Sequence, residues 1–363
     1  MAQDSPSLFD FLGDEVLVLI QELIEKSGLD EAELEEALPP ILKTFMAELT
    51  PSVAAALLKG SKAMLRERRA DEAGFQKRNS KRWAKSFSRV EFVWHLCEEI
   101  GREFNQKYRP DAVREQNMLF EALVNLHARG LLVAAEAIHL LKGGFAEDSL
   151  TRWRALHEVL VVSMFIREHG PMAAERYLHS AHFLTRTAAR QYMAFHDRAK
   201  LSPIKESDLE QLDTTCTVLA EKYGKIMYQD NGWALPFFPA ITGELRAPNF
   251  SDLEKAVGLD HWRPRYKWAS QHTHAGSRHA HANLGLVENE CPRLLVGPSN
   301  SGMVQPTEML ALHLSNLTSN LLLSNLSIEA VAISSVLQFL VADIGDLSIA
   351  KERTSFIAAA SEK

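Results

Sequence analysis

Cysteine is scarce here: Cys97, Cys216 and Cys291 are the only three in 363 residues, and none lies near another. A scattered, odd set excludes a disulfide-stapled scaffold and leaves no pair at metal or redox spacing. The first residues, Met-Ala-Gln-Asp-Ser-Pro-Ser, lack the basic, then apolar, then small pattern of an export signal. No stretch supplies the roughly 20 clean apolar residues that a membrane span needs. Even the leucine-rich 308–347 is interrupted by His313, Asn316, Asn320, Asn325, Glu329 and Asp343. Strand signals are nearly missing, and there is no internal repeat. These absences point to a cytoplasmic, all-α protein.

Hydrophobic residues at 46% and charged ones at 24% describe an ordinary globular chain. Its length suits one large domain or two modest ones. The net charge of −7 conceals a reversal of sign. Residues 1–60 carry 12 acidic and 3 basic side chains, whereas residues 61–90 carry 10 basic and 3 acidic. That contrast suggests either an intramolecular contact of the acidic N-terminus with the basic segment or an external anion such as RNA.

Leu8, Leu12, Val16, Leu19, Ile20 and Leu23 recur at helical spacing. Pro39-Pro40 is expected to end a short acidic helix, and Thr50-Pro51 to begin another. Residues 116–142 and 146–169 read as a helical hairpin, closed by Gly143-Gly144 and ended by Gly170-Pro171. Ser207 to Glu210 and Ser251 to Glu254 both read as capping boxes. Trp233 to Pro239 forms a rigid apolar loop suited to a wall or lid. The expected organisation is an acidic helical segment over 1–70, a helical core over 71–288, a linker over 289–306, and C-terminal helices over 307–363. Those last helices would pack on the core or on the partner in a homodimer, with Asn316, Asn320, Ser324 and Ser327 as a polar seam.

Polar chemistry concentrates in two places. Residues 266–284 hold His272, His274, His279 and His281, with Arg278 among them and Ser270 just before. On a helix, Ser270, His274, Arg278 and His281 share one stripe, a hydroxyl, a titratable base and a fixed cation together. Such a stripe suits phosphate binding or hydroxyl activation; a hydrated polar surface is the plain alternative. No two of these histidines are four apart, so the helix alone builds no zinc site. Neither a metal nor a cofactor is expected.

The second place is Arg152-Trp-Arg-Ala-Leu-His-Glu158, where Arg152 and His157 read as Arg-x4-His and Arg154 and Glu158 as Arg-x3-Glu. The first spacing resembles the ribonucleases of the HEPN superfamily (higher eukaryote and prokaryote nucleotide-binding domains), although Trp153 stands where a polar residue is usual. The longer run from His139 to Glu158, followed later by Tyr266-x3-Ser270-x3-His274-Ala-Gly, resembles the bacterial family called domain of unknown function 5677, over roughly residues 75–285. That resemblance implies a helical bundle akin to the HEPN class, with Arg154, Glu158, Ser270 and His274 clustered between helices. The family has no settled activity, so it implies site residues rather than a reaction.

Arg78, Arg82, Lys85 and Arg89 add a cationic stripe opposite Trp83, Phe87, Val90 and Trp94. It could track a phosphate backbone, with Arg278 and His281 as further contacts, or be a solvated helix face. The leading expectation is a metal-independent, ribonuclease-like effector of a bacterial stress or phage-defence system, a toxin acting on RNA. His274 would be its general acid/base, Arg154 its phosphate clamp, Glu158 an orienting group and Ser270 a positioning one. The alternatives are a non-catalytic helical sensor or adaptor, in which that cluster fastens two helices, and a metal-dependent phosphohydrolase.

Overall fold

A computed structural model describes residues 18, 21, 22, 31–241, 246–273, 284–286 and 294–361. They form ten α-helices joined by turns and short 3-10 pieces, with no strand among the described residues. The chain divides into two compact units, 1–74 and 75–363.

Helix α1 (Glu31–Arg82) contributes to both units. It runs through Pro39, Pro40 and Pro51, so the break and restart expected at those prolines do not occur. Proline removes one helical hydrogen bond but has a helical φ. All three rings lie on the exposed surface, so water can satisfy the carbonyls they leave unpaired. In the first unit, Leu57, Leu58 and Met64 are also exposed. Of the acidic N-terminal segment expected to contact the basic one, most of 1–30 lies outside the described residues, while 31–60 belongs to the same continuous helix as the basic residues from 61 to 82.

The larger unit begins with the end of α1 and α2 (Ala84–Glu115), separated by a turn at Trp83. Asn117 then caps α3 (Met118–Gly143) by accepting from the Phe120 N–H. Gly144, at φ 90°, ends α3, and two backbone bonds back to Leu140 and Leu141 close the turn. Helix α4 (Ala146–Phe195) follows at once. It is interrupted at Gly170 (φ 72°, ψ −154°), where the sequence led us to expect its end. Instead Pro171 starts a new helical stretch in a new direction.

The expected caps of the next helices are corrected. Helix α5 (Glu206–Tyr223) has no side-chain cap, and Asn249 with Asp252 forms the capping box of α6 (Phe250–Ala256). The Ser251 to Glu254 match was two residues out of register, which released Glu254 for another role. Trp233 and Ala234 sit buried in a 3-10 turn against α4, so this loop serves as a wall.

After α7 (Arg263–Thr273), residues 294–303 are tied to the same unit. Ser299 donates its N–H to the Gly144 carbonyl, and Asn300 accepts from both Arg82 and Trp83. Helix α8 (Val304–Leu322) is the centre of the bundle, packed by α2, α3 and α4. It is packed as well by α9 (Ile328–Val341) and α10 (Ile344–Ser361). Far from docking late, α8 is buried on nearly every side. Asn320 donates to Ser163, Asn316 accepts from Gln338, Ser324 donates to the Leu321 carbonyl, and Ser327 caps α9; the polar seam thus has partners within the chain.

Leu123, Val133 and Ala137 of α3 meet Leu150, Leu156 and Leu160 of α4 and Leu310, Leu314 and Leu317 of α8 in one core. Each leucine or valine among them contributes about 1.5–3 kcal/mol by leaving water. By length and composition, Met118–Gly143 and Ile328–Arg353 could cross a membrane. The first is the core helix α3; the second is two helices with a turn at Ala342 and Asp343 between them.

Candidate functional site

The site lies where α7 crosses α4. Arg154 and Glu158 sit one turn apart on α4, which lets them pair at 3.1 Å. From α7, Tyr266 enters between them. Its hydroxyl accepts from Arg154 NH2 at 2.9 Å and donates to Glu158 Oε1 at 2.6 Å. The Arg154 guanidinium also lies 4.7 Å from the centre of the Tyr266 ring. Burial first, then the Glu158 carboxylate, pushes the Tyr266 phenol up to about 12, so it stays a neutral donor. Arg154 and Glu158 keep 28% and 40% of their side chains exposed, so this layer is open to a solute.

A second layer lies behind it, sealed from water. His157 is fully buried; its Nδ1 meets His313 Nε2 at 3.0 Å, and its Nε2 meets Glu254 Oε1 at 2.9 Å. Glu254 Oε2 accepts from Arg263 at 2.6 Å, while His313 Nδ1 lies 2.9 Å from the Met309 carbonyl. Trp153, Trp262, Phe250 and Tyr266 wall in the two imidazoles. Burial lowers His157 to about 4, against the pull of Glu158, and lowers His313 further. Burial also raises the Glu254 carboxyl, with Arg263 opposing it.

The structure thus brings together Arg154 and Glu158, as expected, and adds Tyr266. Ser270 sits one turn along α7 and donates to the Tyr266 carbonyl on its own helix. His274, Arg278 and His281 lie outside the described residues. The Arg-x4-His pair does not converge: Arg152 pairs with Glu136, while His157 turns into the sealed layer. On the cationic stripe, Arg82 bonds Asn300 and lies over Trp83, and Arg89 bonds Asp343 and the Leu340 carbonyl. Arg78 and Lys85 are exposed. The turn at Trp83 divides the stripe between α1 and α2.

Sequence reasoning missed Glu254, Arg263 and His313. The available signal was His313 itself, an ionisable residue in the apolar run Leu310-Ala-Leu-His-Leu314. Among the described residues, no group of three His, Cys, Asp or Glu side chains is arranged to hold a metal.

An all-helical bundle with a paired Arg-x3-Glu and an aromatic-x3-Ser on facing helices is the class this geometry defines. Residues 120–290 match the model of a family of unknown function, DUF5677, and this chain carries a domain of that family. No curated protein and no solved structure matches the chain.

Proposed function

We propose that this protein is a metal-independent, ribonuclease-like enzyme acting on RNA in a bacterial stress or defence response. The observation carrying the reading is the half-open Arg154–Glu158–Tyr266 cluster, with Ser270 one turn from Tyr266 on the same helix. Arg154 would balance the charge of the scissile phosphate, held in place by Glu158 through the Tyr266 hydroxyl. His274 would take the proton of a ribose 2′-hydroxyl as that oxygen attacks phosphorus. The same proton would then pass to the departing 5′-oxygen.

A second reading, a non-catalytic adaptor, draws support from the way Arg154, Glu158 and Tyr266 satisfy one another. The deciding experiment incubates structured and unstructured RNAs with wild-type and His274→Ala protein, with and without chelator. Cleavage that His274→Ala abolishes and chelator spares is the expected result. Loss on chelation would move the assignment to a metal-dependent phosphohydrolase. Equal inactivity of both proteins would favour the adaptor.

A further inference from the structure

The sealed layer holds one proton more than its two neutral imidazoles can supply. Three contacts run in series: Met309 carbonyl to His313, His313 to His157, and His157 to Glu254. Each needs one hydrogen, and a carbonyl oxygen brings none. Two neutral imidazoles provide two. The third proton sits either on Glu254 Oε1 or on an imidazolium, and the total charge is the same in both cases. With Arg263 included, the group His313, His157, Glu254 and Arg263 carries +1. The neighbouring Arg154–Glu158 pair sums to zero, Tyr266 is neutral, and Asp260, at the start of the turn before α7, is exposed to water.

That surplus charge emerges beside the open layer. Arg263 is 29% exposed, and its guanidinium lies 5.2 Å from the Tyr266 ring centre, the same ring that Arg154 covers at 4.7 Å. Two guanidiniums therefore share one tyrosine, and the carboxylate that Arg263 meets, Glu254, is shared with His157.

We infer that Arg263 and Arg154 form a two-guanidinium cradle around Tyr266 that binds a backbone phosphate of RNA, with the proton shared by His157 and Glu254 keeping the cradle cationic. This rests on the reading of the site as an RNA-cleaving one, but its test reads binding alone. Guanidinium pairs suit phosphate because their forked donors match its oxygens.

The probe is a short, fluorescent, fully 2′-O-methylated RNA, which lacks the nucleophile and cannot be cut by the proposed route. Anisotropy would follow its binding to the full chain and to Arg154→Gln, Arg263→Gln and Glu254→Gln, each first checked for a cooperative melt. Each arginine variant is expected to weaken binding by about tenfold and to reduce the salt dependence by about one counterion. Glu254→Gln is the sharper arm. A carboxamide can still donate to His157 and leaves the group at +1, so affinity and salt dependence should hold. A marked gain in affinity with Glu254→Gln would show that Glu254 had been neutralising Arg263, and would overturn the inference. So would an unchanged affinity in Arg263→Gln, or no binding by the wild type. If the arginine dependence holds while unmodified RNA stays intact, the cradle stands and the nuclease reading falls.

Discussion

Tyr266 shows how much one hydroxyl can organise. It accepts from Arg154 and donates to Glu158, so Tyr266→Phe removes two charge-assisted hydrogen bonds and no ring packing. Arg154 and Glu158 can still pair with each other and with water, so the loss should be about 1 kcal/mol in urea denaturation. A loss above about 3 kcal/mol would mean the phenol is a structural linchpin. His127 makes a different prediction. Buried against Thr318 at 3.0 Å, it is lowered by burial to about 4 from an ordinary 6.5. Its folded-state value lies below its unfolded one, so its contribution is complete above pH 6.5 and is lost as pH falls towards 4. Each pH unit between the two values is worth about 1.4 kcal/mol, which puts the loss at about 3 kcal/mol. Denaturation midpoints of wild type and His127→Gln across this range should converge as the pH falls. Parallel curves would refute the assignment.

Among the elements, the turn between α3 and α4 and the kink inside α4 both depend on glycine, for different reasons. Gly144 has φ 90°, and a Cβ there would stand 2.6 Å from the Phe75 ring and 2.9 Å from Pro298. Gly170 has φ 72° but open space around it. Gly144→Ala therefore combines backbone strain with a clash and should cost about 2–4 kcal/mol, whereas Gly170→Ala carries strain alone, in a backbone region that essentially only glycine adopts, at about 1–3 kcal/mol. Chemical denaturation of the two variants checks the order; equal losses would mean that Phe75 and Pro298 yield freely. The hairpin was legible in the sequence because Gly143-Gly144 punctuates two periodic apolar runs. The capping boxes were not, since Ser-Asp-Leu-Glu and the true Asn249 to Asp252 cap overlap, and only tertiary packing chose between them. Prolines in α1 misled for a related reason, as a water-facing helix can tolerate them.

For the whole molecule, the helical class could be read from periodicity and from missing strand signals, while the arrangement could not. Helix α8 looked like a late addition, yet it supplies the middle of the core and His313 at the bottom of the sealed layer. Half the candidate site followed the same division. Arg154 and Glu158 are neighbours on one helix, so spacing revealed them. Glu254, Arg263 and His313 come from three further segments, and only folding makes them neighbours of His157. A cluster assembled across that much sequence can serve chemistry or merely hold the bundle, and the two roles separate at Arg154. The measurement that divides them compares initial rates of cleavage of unmodified RNA by wild-type and Arg154→Lys protein, alongside their melting temperatures. Lysine keeps the charge but not the forked geometry. The expected result is a rate loss of about a hundredfold or more with a melting temperature within about 3 °C of wild type. An unchanged rate, or a large drop in melting temperature with no activity to lose in either protein, would contradict it.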